Sequence, residues 1–243
     1  MDRFYEDKTI VITGGAGGIG RETADIFLAK GADVVLVDID AKALVTTIAP
    51  LGHGERIHSY QTRLESDAAL QAGPKSPYAI VHLAGVSLPN TADPNDLSIW
   101  DLTIDANLRN ADLMARAFET ACAEKAREPA RMVFASSLAY RRGGLDRIAY
   151  SAAKGAIAAM IRALSRRYAP KIHVNAVAPG IILTKMTKSL IAIREDKPMA
   201  EIPIRRFAEP REVASVIELQ SRFQLRQWTD NQCRRRNYPL VNL

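Results

Sequence analysis

The chain alternates short apolar runs with longer stretches of helical periodicity. Six short runs, rich in β-branched and other apolar side chains, predict strands at 9–13, 34–37, 57–60, 79–83, 131–136 and 172–177. Between them, apolar residues recur every three or four positions at 21–30, 100–124 and 150–167, which predicts helices. Strands that alternate with helices predict an α/β fold of the Rossmann type: a doubly wound parallel sheet with helices on both faces.

A glycine-rich turn separates the first strand from the first helix. The sequence GGAGGIG occupies residues 14–20, and the second strand ends at Asp38. Glycines let a backbone approach a pyrophosphate closely, and the following helix N-terminus supplies amides and a favourable dipole. Asp38 can accept hydrogen bonds from both ribose hydroxyls and would repel a 2′-phosphate. Glycine runs also form plain turns, but this arrangement predicts a dinucleotide site that prefers NAD to NADP.

A tyrosine and a lysine stand four residues apart near the start of the helix at 150–167. Tyr150 and Lys154 would share one helical face, and Ser137 precedes the tyrosine by thirteen residues. A phenol titrates near ~10, so an ammonium beside it, by favouring the phenolate, makes it a usable acid or base. A tyrosine-lysine pair alone is common by chance. With a serine to bond the same substrate oxygen, the pattern indicates proton transfer to or from a carbonyl or alcohol oxygen.

Composition narrows the cellular setting. The 243 residues, 47% apolar and 25% charged, suit one large α/β domain. The two cysteines, Cys122 and Cys233, have neither disulfide nor metal-ligand spacing, so we expect a reducing, cytoplasmic setting and no metal. The N-terminus lacks a signal-peptide pattern, and no apolar run approaches the roughly 20 residues of a membrane span. A soluble protein without a membrane partner is therefore expected.

Taken together, these blocks resemble the short-chain dehydrogenase/reductase family in its compact single-domain branch, including 3-oxoacyl-ACP reductase-like enzymes and sugar or alcohol dehydrogenases. The resemblance covers about residues 5–218. The pattern Thr13-Gly14-x-x-x-Gly18-x-Gly20 matches the cofactor motif, and VNAVAPG, from Val174 to Gly180, matches a later family block. The catalytic tetrad is matched in order and spacing by Asn107, Ser137, Tyr150 and Lys154.

The resemblance implies an oxidoreductase that transfers a hydride between NAD(H) and a small alcohol or carbonyl substrate. Tyr150 would be the general acid/base, and Ser137 would polarise the substrate oxygen. Lys154 would lower the pKa of the tyrosine and hold the nicotinamide ribose, and Asn107 would support a water that leads to the lysine. The cofactor contacts implied in addition to Asn107, Tyr150 and Lys154 are Thr13, Gly14, Gly18, Ile19, Gly20, Asp38, Ile39, Ala84, Gly85, Pro179, Gly180, Ile182 and Thr184.

Three features depart from the family pattern. Arg63-Leu64 stands where the family often has Asp-Val, whose aspartate binds adenine. His82 replaces an asparagine; its position mid-strand among apolar residues predicts a core histidine rather than a base. Residues 65–78 contain a glycine and two prolines, so the helix expected there is short or missing. Substrate identity stays open among sugars, acyl thioesters, steroids and simple alcohols. The cationic residues of region 185–207 fit either an anionic substrate or a solvated loop.

Beyond a domain at 1–218, the tail at 219–243 does not match the family. Its five arginines against one aspartate give +4 of the net charge of +6, and the expected final strand is missing. Read one nucleotide later, with permitted codons, residues 228–237 can encode G-x-I-T-S-A-V-D-G, close to the family ending. We therefore hypothesise a frameshift near residue 219, with a divergent tail or a basic interaction arm as alternatives. The last strand of the sheet would then be lost or altered.

The tail also keeps other functions open. A catalytically impaired, cofactor-binding protein with a binding or regulatory role would explain the tail but not the intact tetrad. Nucleic-acid binding by the arginines would lack the interleaved aromatic and basic residues of a folded module, so we expect no nucleic-acid partner. The family resemblance implies a homo-oligomer, provided that the C-terminus permits one.

Overall fold

A computed structural model describes residues 3–64, 76–93, 95–122, 128–194, 202 and 204–222. The side chains of residues 189, 190 and 192–194 are not part of this description. Most of the segment in which a short or missing helix was expected, residues 65–75, lies outside the described residues. So do residues 223–243 of the predicted tail.

Within the described residues, six parallel strands form one sheet in the order β3-β2-β1-β4-β5-β6. They are β1 Thr9–Thr13, β2 Asp33–Asp38, β3 Ile57–Gln61, β4 Ala79–His82, β5 Ala130–Ala135 and β6 Ile172–Val177. The predicted parallel α/β fold is therefore confirmed. The strand order reverses between β1 and β4, and in such sheets ligands bind beyond the carboxyl ends of the strands at this point.

Helices connect the strands, and one predicted helix is interrupted. The α-helices are α1 Gly18–Ala29, α2 Ala41–Ile48, α3 Ser98–Ile104, α4 Asn110–Ala121, α5 Ala139–Arg142, α6 Ile148–Tyr168, α7 Lys185–Arg194 and α8 Pro210–Arg222. The helix predicted at 100–124 is divided by a π-helical turn, Asp105–Arg109, between α3 and α4. No helix in the described segments is both long and apolar enough to cross a bilayer.

The sheet separates two apolar cores. Alternate residues of a strand point to opposite faces, so Val11 packs with Met114 and Phe118 of α4, whereas Ile10 packs on the other face with Phe27 of α1. Because both faces are covered, β1, β2, β4 and β5 are buried along nearly their whole length, which explains why they read as apolar runs. The edge strand β3 is different, with three of its five residues exposed.

Helix α8 continues four residues beyond the predicted boundary at 218. Ser221 is fully buried, and its carbonyl accepts a hydrogen bond from the Tyr78 hydroxyl at 3.2 Å. Gln220 is also buried, and its Nε2 donates to the carbonyl of Ala176 in β6 at 3.2 Å. Packing against the domain therefore extends into the first residues of the segment predicted as a tail, while the expectation about a final strand concerns residues outside the description.

Candidate active site

The glycine turn after β1 passes in contact with the end of β4. Gly14 has a φ of +67°, and a Cβ there would lie 2.8 Å from the backbone nitrogen of Ala84. A Cβ on Gly20 would lie 2.5 Å from the Gly14 carbonyl oxygen. Only glycine fits these positions, because the left-handed backbone and the close approach each exclude a side chain. The turn is thereby folded tightly against the carboxyl ends of β1 and β4.

Helix α1 begins at this turn, and no side chain among the described residues caps its first turn. Its N-cap is Gly17, in extended conformation and without a side-chain cap. A Cβ on Gly18 would lie 3.2 Å from Cγ2 of Thr184, so the predicted contact residues Gly18 and Thr184 face each other. Ile182, two residues before Thr184, is buried and bridged to Ala208, which fixes this segment over the helix start. The uncapped amides are available to a ligand.

Asp38 ends β2 with its carboxylate turned to the glycine turn. Its Oδ2 accepts a hydrogen bond from the Ala16 N–H at 3.0 Å, and its Oδ1 accepts one from the Asp40 N–H at 3.2 Å. The next residue, Ile39, is 56% exposed. The bond from Ala16 was missed by sequence reasoning, because a glycine-rich pattern does not reveal which amide turns inward. The carboxylate is thus held in place without being enclosed.

Ser137, Tyr150 and Lys154 meet where β5 ends and α6 begins. Ser137 lies beside Tyr150, the third residue of α6, close enough for its hydroxyl to lower the pKa of the phenol. The Lys154 Nζ lies 5.6 Å from the centroid of the Tyr150 ring and donates to the Ala135 carbonyl at 2.9 Å. The Ser136 hydroxyl donates to the Lys154 carbonyl at 2.8 Å and so ties the helix to the strand end. The fold therefore assembles three of the four predicted catalytic side chains.

The electrostatics of this group combine burial with nearby charge. Burial raises the pKa of Tyr150 above its usual value, and the Ser137 hydroxyl and the Arg147 guanidinium offset this only in part. Burial lowers the pKa of Lys154 from 10.5 to about 8. The lowering of the tyrosine pKa by Lys154 stays a prediction. The influence of Arg147 was missed, although its position three residues before Tyr150, at the helix start, could have indicated it.

Asn107 lies within the π-helical turn and faces the end of β4. Its Nδ2 donates to the carbonyls of Val86 and Thr103, each at 2.9 Å. Its buried Oδ1 has no hydrogen-bond partner among the described residues. A Cβ on Gly85 would collide with this Oδ1 and lie 3.6 Å from Lys154 Nζ, so Gly85 stands between the two side chains. A buried Asn107 Oδ1 without a described protein partner could accept a hydrogen bond from a bound water.

His82 is a core residue, as predicted. It is 2% exposed, and its Nδ1 lies 2.8 Å from the hydroxyl of Thr13, a predicted cofactor residue. Burial, assisted by the charge of Lys154, lowers the pKa of His82 to about 3. The imidazole is therefore neutral near neutral pH and supports the strand end rather than acting as a base.

The loop after β6 reaches the same edge of the sheet. The Pro179 carbonyl accepts a hydrogen bond from the Leu138 N–H at 2.8 Å, next to Ser137, and Gly180 is exposed. Farther along lies a cavity of about 570 Å³ lined by Leu183, Arg205, Arg206, Phe207, Glu209 and Glu212. Arg206 makes a bidentate ion pair with Glu212 at 2.7 and 2.8 Å, so its charge is already compensated.

A parallel sheet with a glycine turn, a terminal aspartate and a Ser-Tyr-Lys group defines a class of nicotinamide-dependent oxidoreductase. The family model described as short chain dehydrogenase matches residues 8–195. The chain belongs to this family, whose members are oxidoreductases acting on alcohol and carbonyl groups.

Three similar proteins show the range of the relatives. An acetoacetyl-CoA reductase of Synechocystis sp. is 32% identical over 87% of each chain. An NAD-dependent glycerol dehydrogenase of Listeria innocua is 35% identical over 86% of this chain and 84% of its own length. The crystal structure of a short-chain glucose/ribitol dehydrogenase from Brucella melitensis superposes with a TM-score of 0.84, at 35% identity over 91% of each chain.

Proposed function

We propose that the chain interconverts an alcohol and a carbonyl compound with NAD(H), and that Tyr150 is the general acid/base. The observation that carries the proposal is the position of Lys154 Nζ, 5.6 Å from the centroid of the Tyr150 ring, with Ser137 close enough to lower the pKa of the same phenol. A hydroxyl donor, a phenol and a cation lie together at the carboxyl edge of the sheet, where a substrate oxygen could reach both hydroxyls.

In the direction of reduction, the Tyr150 hydroxyl donates its proton to the carbonyl oxygen. The Ser137 hydroxyl donates a hydrogen bond to the same oxygen and polarises the carbonyl. In the direction of oxidation, the phenolate takes the proton back from the alcohol. Lys154, whose pKa is lowered only to about 8, still carries most of its charge at neutral pH and favours the phenolate.

The residues present fit a dinucleotide. The glycine turn is folded tightly against the ends of β1 and β4, the first turn of α1 is uncapped, and the Asp38 carboxylate lies beside the glycine turn. Thr184 and Lys154 would hold the nicotinamide end, and Asp38 the adenine ribose. Asp38 and the absence of a basic side chain at Gly17 favour NAD over NADP. When bound, the nicotinamide supplies or accepts the hydride.

We further propose that the tail at 219–243 arises from a frameshift near residue 219. Its support is that the family pattern holds to residue 218, while the family ending is absent from this reading frame and can be encoded one nucleotide later. The missing family ending favours a catalytically impaired cofactor-binding protein as the second candidate. Loss of the last strand would leave β6 as an unpaired edge and reduce stability. Sequencing the gene decides the origin: the idea fails if no single-base change restores the family ending.

The proposed function is tested by an NAD(H)-coupled screen of alcohols and carbonyl compounds. The chain is assayed as it stands and with the restored reading frame. We expect turnover that Tyr150→Phe abolishes while NADH binding persists, because the substitution removes only the hydroxyl. Unchanged turnover in that variant would refute the role of Tyr150, and cofactor binding without turnover in either chain would favour the second candidate.

A further inference from the structure

Asn90 joins two walls of the candidate active site. Its backbone N–H donates to the Asp146 carbonyl at 2.7 Å, and its side-chain Oδ1 accepts a hydrogen bond from the Ile148 N–H at 3.0 Å. Ile148 is the first residue of α6 and lies two residues before Tyr150. The first N–H groups of a helix have no partner inside it, so Asn90 caps α6 from a distant segment.

The residue just before α6 does not cap the helix with its side chain. Its N-cap residue, Arg147, makes no side-chain capping bond. The segment is folded onto the helix by the Gly144 N–H, which donates to the Ser151 hydroxyl at 2.9 Å, and by the Arg147 N–H, which donates to the Gly144 carbonyl at 3.1 Å. These bonds close the local turn but leave the Ile148 amide to Asn90.

The segment that carries Asn90 is itself anchored at the site. It leaves the end of β4, and near its start the Val86 carbonyl accepts the bond from Asn107 Nδ2 at 2.9 Å. Beyond Asn90, the Asp96 carboxylate accepts a bond from the Ser98 N–H at 2.9 Å, where α3 begins. One segment is therefore bonded to Asn107 on one side and to the first turn of the Tyr150 helix on the other.

We infer that Asn90 is a positioning residue, which fixes the first turn of α6, and with it Tyr150, relative to Asn107. The catalytic consequence rests on the proposed function, whereas the cap itself does not. Asn90 is exposed, so truncating it leaves no core cavity. Its loss is expected to act on the placement of Tyr150, and small misplacements of a reacting group reduce turnover steeply.

The experiment compares Asn90→Ala with Asn90→Asp, which keeps a side-chain oxygen as the acceptor. Asn95→Ala is the matched control, because Asn95 lies in the same segment. The hydrogen bond recorded for Asn95 is made by its backbone N–H, which donates to Asp93 Oδ1 at 2.9 Å and is kept in the variant. Hydrogen exchange of the amides from 148 to 151 is measured on the full chain without substrate. The kcat and KM are measured with a substrate identified by the screen.

For Asn90→Ala we expect faster exchange at the Ile148 amide and a kcat reduced at least about tenfold, with a nearly unchanged KM. Asn90→Asp should restore both, and Asn95→Ala should change neither. Unchanged exchange in Asn90→Ala would overturn the cap whatever the activity. Faster exchange with an unchanged kcat would overturn the positioning role. Absence of turnover in both the wild-type and the frame-restored chain would refute the proposed function, while the exchange result would still decide the cap.

Discussion

Replacing Lys154 with methionine should make the folded protein more stable at neutral pH while abolishing turnover. Lys154 is 5% exposed, and burial lowers its pKa from 10.5 to about 8. Between these values the unfolded chain binds more protons than the folded one, so the free energy of unfolding of the wild type rises with pH. One pKa unit corresponds to about 1.4 kcal/mol of free energy. The lowering of the Lys154 pKa therefore means that the buried charge reduces the free energy of unfolding by about 3 kcal/mol below pH 8.

Lys154→Met keeps the long apolar stem and removes the charge. It also removes the hydrogen bond to the Ala135 carbonyl, a loss of about 1–2 kcal/mol. The variant should therefore be about 1–2 kcal/mol more stable than the wild type at neutral pH. Above pH 10.5 the wild-type amine is neutral and keeps its hydrogen bond, so there the variant should be less stable by a similar amount.

Urea unfolding, followed by circular dichroism at several pH values from about 7 to 10.5, measures this change of sign. The control is Lys171→Met, which removes the same charge from an exposed position and should follow the wild-type curve. If the free energies of unfolding of Lys154→Met and the wild type changed with pH in parallel across this range, the reasoning would be refuted. Parallel curves would mean that burial does not lower the pKa of Lys154.

Three further substitutions test other parts of the site. Gly14→Ala should destabilise the fold and prevent NADH binding, because a φ of +67° and a Cβ 2.8 Å from the Ala84 nitrogen both oppose it; Gly52→Ala has the same φ but open space, and should cost only about 1 kcal/mol. Asp38→Asn should lower the ratio of the NADP dissociation constant to the NAD dissociation constant by at least about tenfold, because it removes the charge that repels a 2′-phosphate. Arg147→Gln should move the pH at which kcat/KM for oxidation is half-maximal upward, because the guanidinium lowers the pKa of Tyr150.

Each of these substitutions has an outcome that contradicts its premise. Equal thermal shifts and equal NADH titrations for Gly14→Ala and Gly52→Ala would show that close approach does not matter at the turn. An unchanged ratio of dissociation constants in Asp38→Asn would remove the basis for NAD preference. Arg147→Lys preserves the charge, so a pH profile displaced as far as that of Arg147→Gln would point to shape rather than electrostatics.

The central strands could be predicted because burial on both faces leaves a continuous apolar signal, whereas their order in the sheet came only from the structure. The run at 9–13 coincides with β1 and that at 172–177 with β6. His82 could be placed in the core for the same reason, since an isolated polar residue within such a run must be buried with it. The roles of the tetrad stay predictions, although Ser137, Tyr150 and Lys154 lie together in the fold.

Features that depend on contacts between distant segments could not be predicted. Asn90 and Ile148 are 58 residues apart, and neither position carries a local pattern that signals their bond. The π-helical turn escaped prediction because residues 100–124 keep a helical periodicity on both sides of it. The packing of Gln220 and Ser221 on the domain could not be predicted either, because their partners Ala176 and Tyr78 lie far away in the sequence.

The π-helical turn makes the region around Asn107 unusually sensitive to deletion. Such a turn holds one more residue than an α-helical turn, and it occurs often at functional sites. Deleting one residue from Asp105–Arg109 would let α3 and α4 join as a regular helix, with the residues on one side rotated by about 100° relative to the other. Asn107 would then turn away from Val86 while Met114 and Phe118 kept their packing. The deletion would thus make the helix more regular but move the Asn107 side chain out of alignment with Lys154.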